Sequence, residues 1–306
     1  MKKKLLIFDT NSVIHRAFHA LPPLKSRDGK PSGAVYGTLT TFIRLLEEFN
    51  PQLVALAFDS PGETFRHKQY SDYKKHRPKT PDELVEQIIR VNGVFRKMGV
   101  TVLEQQGLEA DDIVGAVAEE GKKDNTVIIV TGDMDMLQLV DDSVFSYTLR
   151  RGIKDSVLYD VQEVQKKLDG LLPSQVVDVK ALQGDKSDNI PGVEGVGEKT
   201  ALTLIKEFST VENLYNAVEK GEAESISSNL KEKLLKNKKQ AFLSKELATI
   251  DRHSFTEFKV EEFTGFLNNE SISEQIEDLG FESLLKRLAK NKKNAKKEET
   301  NLSFDF

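Results

Sequence analysis

Leu5-Leu6-Ile7-Phe8-Asp9 is the stretch that decides the fold, because four apolar residues are followed at once by a carboxylate. Short apolar runs bounded by polar residues are typical of strands buried on both faces of a sheet. Similar runs recur three times in the first half of the 306-residue chain, at 53–58, 100–103 and 127–130. We therefore predict four buried strands, followed by a hairpin from Ser143 to Tyr159 that turns near Arg151-Gly152.

The segments between these strands have the apolar periodicity of helices, at 34–49, 81–98 and 109–121. The middle helix carries start signals, with Thr80 as the cap and Pro81 at the first helical position. Strands that alternate with helices predict an α/β fold, with a mostly parallel central sheet flanked by helices. We expect this core to span residues 1–170.

The strand pattern fades after Leu171, and helical patterns continue to about residue 289. We expect 171–289 to form a helical subdomain, to which the glycine turn described below would give a DNA-binding role, and 290–306 to be a flexible, lysine-rich tail. Leu302-Ser303-Phe304-Asp305-Phe306 resembles a peptide that docks on a bacterial sliding clamp. A frayed terminus or the start of an interdomain linker is the alternative interpretation.

The composition, 38% hydrophobic and 30% charged residues, is that of an ordinary globular protein. No apolar run approaches the roughly 20 residues that cross a bilayer, and the basic N-terminus lacks the apolar core of a signal peptide. The absence of cysteine excludes disulfides, a zinc ribbon and a thiol nucleophile. We expect a cytoplasmic monomer with no membrane partner.

Aspartates follow three of the predicted strands: Asp9, Asp59 and Asp133, with Asp135 two residues further on. Ligands of open parallel sheets bind beyond the carboxyl ends of the strands. One aspartate at a solvated strand end is common, but three at the same edge indicate a site.

Two further groups of carboxylates follow. Glu109, Asp111 and Asp112 open a predicted helix, where acidic residues also suit the helix dipole. Asp185 and Asp188 are spaced i, i+3 and can face the same way.

Oxygen ligands without histidine or cysteine favour Mg²⁺ or Mn²⁺ over zinc. Nine carboxylates exceed the needs of one cation, so we predict two metal ions that act on a phosphodiester.

The net charge of −5 does not exclude nucleic acid as a partner. Without the nine candidate ligands the remainder of the chain is net basic, so a basic surface is compatible with the acidic total.

Basic and aromatic residues are dense at 62–79. Arg66, Tyr70, Tyr73, Lys74 and Arg77 can share one side of a helix, where cations meet phosphates and rings stack on bases. Lys74 or Arg77 can also stabilise charge that develops on the scissile phosphate, which makes them candidate catalytic residues. A solvated surface helix is the alternative.

Glycines at 192, 195 and 197 precede a predicted helix, 201–208, and allow a tight turn with exposed N–H groups at a helix start. Such a turn binds anions, and Lys199 follows it. This arrangement would bind a duplex backbone without reading its sequence.

As an ordered set, these residues resemble the 5′-nuclease domain of bacterial DNA polymerase I, within the flap endonuclease superfamily, from about Leu5 to about residue 289. The matching stretches are Phe8-Asp9, Arg16-Ala17-Phe18-His19-Ala20, Ala34-Val35-Tyr36-Gly37, Phe58-Asp59, Phe65-Arg66, Tyr73-Lys74-Lys75-His76-Arg77-Pro78, Glu109-Ala110-Asp111-Asp112, Thr131-Gly132-Asp133-Met134-Asp135, Gly184-Asp185-Lys186-Ser187-Asp188-Asn189-Ile190-Pro191-Gly192 and Gly195-Val196-Gly197-Glu198-Lys199-Thr200. Thr10 departs from the family, in which many members have glycine.

The resemblance implies a PIN- or resolvase-like core, a helical arch at about 60–80 through which a 5′ single strand threads, and a helix-three-turn-helix at about 173–208. It implies a K⁺ site at the glycine hairpin, within the helix-hairpin-helix of 184–208. It places the metal ligands on the nine carboxylates and phosphate contacts on Arg16, Arg66, Lys74 and Arg77. The implied activity is hydrolysis of DNA at 5′ ends and 5′ flaps, in primer removal and nick translation, with annealed RNA primers as further substrates.

Two alternatives remain open. One is a DNA-junction-binding protein without catalysis, which the loss of ligand carboxylates would have favoured. The other is a related RNA-cutting nuclease with a similar core.

Overall fold

A computed structural model of the chain describes residues 2–149, 156–267 and 269–288. Six strands form one sheet in the order β3-β2-β1-β4-β5-β6. The strands are β1 (Lys3–Asp9), β2 (Leu53–Ala57), β3 (Thr101–Leu103), β4 (Asn125–Thr131), β5 (Val144–Thr148) and β6 (Val157–Tyr159). The first five run parallel, and β6 pairs antiparallel with β5. The predicted strands and hairpin are confirmed, while the predicted turn at Arg151-Gly152 lies outside the described residues.

The alternation of side chains along β1 explains why the strand is apolar throughout. Leu6 and Phe8 point into one core and Leu5 and Ile7 into the other, because successive residues of a strand face opposite sides. Both faces of the sheet are therefore covered, as parallel sheets require.

Helices cover the two faces. The first six are α1 (Thr10–Ala20), α2 (Gly33–Phe49), α3 (Phe65–Gln69), α4 (Asp82–Lys97), α5 (Ala110–Gly121) and α6 (Val161–Lys167). Helices α1, α2 and α4 pack on the Leu6 side, and α5 packs on the Leu5 side.

The capping prediction for α4 is wrong by one residue, because Pro81 rather than Thr80 is the N-cap. Helix α1 was not predicted from the sequence.

The segment at 60–80 differs from the prediction. Only Phe65–Gln69 is helical, Tyr70 is extended, and Lys74 has the left-handed φ of 55°. The prediction of one helix with five basic and aromatic residues on a single side is therefore wrong for this structure. Those residues are Arg66, Tyr70, Tyr73, Lys74 and Arg77. Short turns follow α3 instead.

A helical layer follows the sheet, as predicted. It consists of α7 (Val176–Gln183), α8 (Glu198–Phe208), α9 (Val211–Lys220), α10 (Ser228–Lys236) and α11 (Lys238–Ala248), with a core of its own that includes Leu182, Leu204 and Leu214. One 3-10 helix, Met134–Leu139, follows β4, and another, Pro173–Gln175, precedes α7.

The chain then returns to the sheet. Ile250 and Phe263 lie in the core beside α5, and Ile276, from α12 (Asn269–Leu279), lies in the core beside α2 and α4. The range predicted for the helical subdomain, 171–289, thus includes residues from 250 onward whose side chains pack with the α/β core. The predicted tail, 290–306, with its clamp-binding peptide, lies outside the described residues.

Within the described ranges, no helix combines the length and the apolar character that crossing a bilayer demands.

Candidate metal centre

Three aspartates meet at the carboxyl edge of the sheet because β2, β1 and β4 are neighbours. Asp9 ends β1, Asp59 lies two residues after β2, and Asp133 lies two residues after β4. The carboxylate of Asp9 caps α1 by accepting from the Ser12 N–H at 3.2 Å, and it accepts from the Thr131 hydroxyl at 2.6 Å. The prediction of a shared edge is confirmed.

Five of the predicted ligands line one cavity of about 220 Å³. We call them the inner cluster: Asp9, Asp59, Glu109, Asp111 and Asp133. Lys74, Arg77 and His15 line the same cavity. Carboxylates and basic groups thus converge on a space into which a phosphate can enter.

The start of α5 brings its acidic residues to the sheet edge. Asp59 accepts from the Ala110 N–H at 2.8 Å, which ties β2 to this helix. Glu109 accepts from the Lys74 ammonium at 2.8 Å and from the Tyr73 hydroxyl at 3.1 Å. Burial lowers the pKa of Lys74, but Glu109 and Asp188 outweigh it and raise the pKa, so the group stays charged.

Burial raises the pKa of two members of the inner cluster, Asp9 and Asp111. Burial, followed by the charges of Asp133 and Asp59, raises the pKa of Asp9 to about 7. Burial and then Asp9 raise the pKa of Asp111 well above its usual range. A divalent cation among these oxygens would offset both effects, so the donor set fits a hard cation such as Mg²⁺.

The described carboxylates are not grouped around a single point in this structure. Across residues 2–149, 156–267 and 269–288, no three histidine, cysteine, aspartate or glutamate side chains are arranged to hold one ion. Protein cations occupy several of the carboxylates instead: Lys74 on Glu109, Arg77 on Asp188 and Lys180 on Asp185.

A second cavity, of about 540 Å³, adjoins the first and shares Asp133 and Ser12 with it. Asp135 and Asp185 line it, and the ammonium of Lys180 bonds to both. Burial opposes ionisation of Asp185, but the Lys180 hydrogen bond and charge outweigh it and lower the pKa to about 2. Sequence reasoning missed Lys180, although a lysine among the apolar residues of α7 was a usable signal.

Asp188 faces a different group from Asp185. It pairs with Arg77, accepts from the Tyr73 hydroxyl at 3.1 Å, and lies 3.8 Å from the Lys74 ammonium. The two aspartates therefore pair with different cations, although both accept from the Ser187 hydroxyl, at 2.6 Å for Asp185 and 3.3 Å for Asp188.

Asp112, another predicted metal ligand, lies against Arg66 rather than in the inner cavity. It is 1% exposed, accepts twin hydrogen bonds from Arg66 at 2.7 and 2.8 Å, and also accepts the backbone N–H groups of Glu109 and Asp251. The inner cavity does not include it. In this structure Asp112 binds Arg66 and Asp188 pairs with Arg77, and we leave both out of the proposed ligands.

Two predicted DNA contacts are also buried. Arg66 and Tyr73 are 2% and 3% exposed, so neither side chain can reach a phosphate or a base in this structure. Tyr70 is half-buried against the small core of Tyr73 and Ile190. Arg16 lines a separate cavity between α1 and α2.

The glycine turn divides into an inner and an outer part. Gly192 is buried and its N–H donates to the Ser244 hydroxyl at 3.0 Å, so the expectation that this N–H is exposed is wrong. Gly195, Gly197 and Lys199 are exposed, and Gly197 is the N-cap of α8. The outer part alone presents N–H groups to a partner.

The sheet, its carboxylate edge and the helical layer define an α/β protein of the resolvase-like class. Residues 4–169 match the family model described as 5′-3′ exonuclease, N-terminal resolvase-like domain, and residues 171–271 match the one described as 5′-3′ exonuclease, C-terminal SAM fold. The chain therefore belongs to the 5′-3′ exonuclease family, and it is a nuclease of the hydrolase class.

Comparisons with individual proteins agree with this family assignment. DNA polymerase I of Bacillus subtilis is 41% identical over 302 residues, which cover 98% of this chain and 34% of that protein. The T5 5′-exonuclease with bound zinc has a TM-score of 0.68 at 19% identity, covering 90% of this chain and 98% of that one. A T5 flap endonuclease complex with DNA and metal ions has a TM-score of 0.65 at 19% identity, covering 94% and 97%. The chain thus spans about a third of the polymerase that it matches.

Proposed function

We propose that this chain hydrolyses DNA phosphodiester bonds at 5′ ends and 5′ flaps, with two bound Mg²⁺ ions. The observation that carries the proposal is the inner cavity, where five carboxylates face Lys74 and Arg77. A non-catalytic DNA-binding protein has no need of five carboxylates around one cavity, since like charges at close range repel one another unless a cation lies among them. The solved T5 complex with DNA and metal ions, which shares the fold, supports the same substrate class.

The residues that would hold the metal ions form two sets. Asp9, Asp59, Glu109, Asp111 and Asp133 would hold one ion, and Asp135 and Asp185, with Asp133 between the cavities, would hold the other. When bound, such ions supply an activated water and charge stabilisation at the phosphate. Mn²⁺ suits the same oxygen ligands.

Lys74 and Arg77 act directly on the substrate in this proposal. Both line the inner cavity, and each is held by a carboxylate that a phosphate can replace: Glu109 for Lys74 and Asp188 for Arg77. Their charges stabilise the negative charge that develops on the scissile phosphate. A bidentate guanidinium also orients the phosphate for in-line attack.

The duplex would bind at the exposed turn of Gly195, Gly197 and Lys199, where N–H groups at the start of α8 meet a phosphate. A K⁺ ion at this turn, and phosphate contact by Arg16, belong to the same proposal. The cellular roles would be primer removal and nick translation, with 5′ flaps, nicks and RNA-primed ends as substrates.

The test is cleavage of a 5′-labelled flap duplex by the wild type and by Asp111→Asn. We expect Mg²⁺-dependent release of a short product, abolished by EDTA. The variant should lose about a hundredfold or more of the rate, because even the outer partners of a metal ligand are worth 10–100-fold.

The matched control is Asp124→Asn, an exposed carboxylate at the opposite edge of the sheet, which should cleave normally. Binding of the flap is followed by fluorescence anisotropy without Mg²⁺. Tight binding with no cleavage in Mg²⁺ or Mn²⁺ would instead favour the binding protein, and cleavage of RNA alone would favour the RNA-cutting nuclease.

A further inference from the structure

Lys180 joins two carboxylates that come from different parts of the fold. Asp135 lies in the 3-10 helix that follows β4, and Asp185 lies in the loop that follows α7. The ammonium of Lys180, from α7 itself, hydrogen-bonds to both of them. Its side chain is only 13% exposed, so the three charges form a partly desolvated triad rather than a surface ion pair.

The triad neutralises charge where the second metal set lies. Two carboxylates that are 19% and 14% exposed repel each other unless a cation lies between them. Lys180 supplies that cation from within the chain. A divalent ion that uses Asp135 and Asp185 must therefore break two charged hydrogen bonds before it gains its own ligands.

We propose that Lys180 is a built-in counter-cation that competes with the second divalent metal ion and holds its ligands in place until that ion binds. The inference rests on the proposed two-metal function, which assigns Asp135 and Asp185 to that ion. Entry of the metal would release the ammonium from both carboxylates.

The first experiment titrates Mn²⁺ into DNA-free protein by calorimetry, with Lys180→Met as the variant and Lys186→Met as the matched control. Lys186 lines the same cavity but is exposed, so its variant removes the same charge without opening the triad. Because the metal no longer has to displace the ammonium, Lys180→Met should bind the weaker Mn²⁺ ion about tenfold tighter, which corresponds to about 1.4 kcal/mol. Lys186→Met should stay within about twofold of the wild type, since exposed charges contribute little.

The second experiment uses the wild type and therefore does not depend on how the variant folds. Lysines are acetylated briefly, with and without saturating Mn²⁺, and the modified peptides are counted by mass spectrometry. Lys180 should be protected in the metal-free protein and should become reactive with Mn²⁺, while Lys186 should react equally in both.

Equal Mn²⁺ affinity in the wild type and Lys180→Met, or Lys180 reactivity that Mn²⁺ leaves unchanged, overturns the counter-cation role alone. Weaker Mn²⁺ binding by Lys180→Met also overturns it, because Lys180 would then assist the metal. A wild type that binds no Mn²⁺ overturns the two-metal function and this inference together.

Discussion

Arg66 uses every N–H donor of its guanidinium inside the protein. Two carboxylates, Asp112 and Glu109, accept from it, and so do the backbone carbonyls of Leu247 and Thr249. One side chain thereby ties α3 to the start of α5 and the end of α11. Since Glu109 belongs to the inner cluster, Arg66 also fixes a proposed metal ligand without touching the substrate.

We predict that Arg66→Gln lowers the free energy of unfolding by about 3–5 kcal/mol, because it leaves the buried carboxylate of Asp112 without a cation, whereas Glu109 keeps the Lys74 ammonium. Urea denaturation followed by circular dichroism measures the loss. Lys68→Gln, an exposed position on the same short helix, is the control and should change stability by less than about 0.5 kcal/mol.

A double variant, Arg66→Gln with Asp112→Asn, tests the cause of that loss. Removal of both charges should restore part of the stability, since the cost arises from the unpaired carboxylate. If the double variant is as unstable as the sum of the two single variants, the ion pair is not what Arg66 contributes.

Residue types and spacing predicted the carboxylates at the sheet edge but not their partners. Asp9, Asp59 and Asp133 follow apolar runs, and parallel topology brings their positions together. Burial of Arg66 against Asp112 depends on residues such as Leu247, more than a hundred positions away along the chain. The residues next to Arg66 in the sequence do not reveal such long-range pairs. The local sequence pattern therefore cannot distinguish a buried arginine from one that binds DNA.

At the scale of elements, the glycine turn before α8 is built by close backbone approach. A Cβ on Gly192 would lie 2.3 Å from the backbone nitrogen of Gly184, and its φ of +64° is in the left-handed region. The N–H groups of Asp185 and Ile190 donate to each other's carbonyls at 2.8 Å within the same turn. The turn therefore sets the position of Asp185.

We predict that Gly192→Ala destabilises the protein by about 2–5 kcal/mol, because a left-handed conformation and a backbone clash coincide. Gly93→Ala, in the middle of α4 with open space around it, should have the opposite sign and stabilise by about 0.5–1 kcal/mol. Thermal unfolding of both variants measures the contrast. Two shifts of the same sign would contradict the assigned turn geometry.

Helices and strands with a strong apolar periodicity were predictable from the sequence. Elements whose position depends on contacts with other parts of the chain were not. The strands and α2 agree within two residues, because apolar periodicity records which face is buried. Helix α1 was missed because it starts directly after β1, with Asp9 as its cap. At 60–80 the charged and aromatic residues suit a helix, but burial of Tyr73 and the pairing of the Lys74 N–H with the Asp188 carbonyl turn the chain instead.

At the scale of the whole molecule, the candidate metal centre lies where the sheet meets the helical layer. Asp135 lies in the 3-10 helix that follows β4, and Asp185 lies in the loop that follows α7 of the helical layer. The Asp251 N–H donates to Asp112 from the returning segment. Binding of a cation at this junction should therefore stabilise the whole fold rather than one element.

The pH dependence of the metal-free protein follows from the raised pKa values. The pKa values of Asp9 and Asp135 rise from 3.8 to about 7, through burial first and the charge of Asp133 next. The folded state then holds more protons than the unfolded state between about pH 4 and 7, so stability falls as pH rises through this window. Asp185, with its pKa lowered to about 2, loses its stabilising contribution only below about pH 4, outside the window.

We predict that Mg²⁺ raises the melting temperature more at pH 8 than at pH 5.5, because the ion binds ionised carboxylates and competes with their protons. Differential scanning fluorimetry at constant ionic strength, with and without Mg²⁺, measures the two shifts.

Asp9→Asn, which removes one of the titrating groups, should flatten the fall in stability of the metal-free protein and shrink the Mg²⁺ shift at pH 8. Asp124→Asn should do neither, since its side chain is exposed at the far edge of the sheet. Equal Mg²⁺ shifts at the two pH values would mean that the inner carboxylates are already ionised without metal, and that Lys74 and Arg77 suffice to neutralise them.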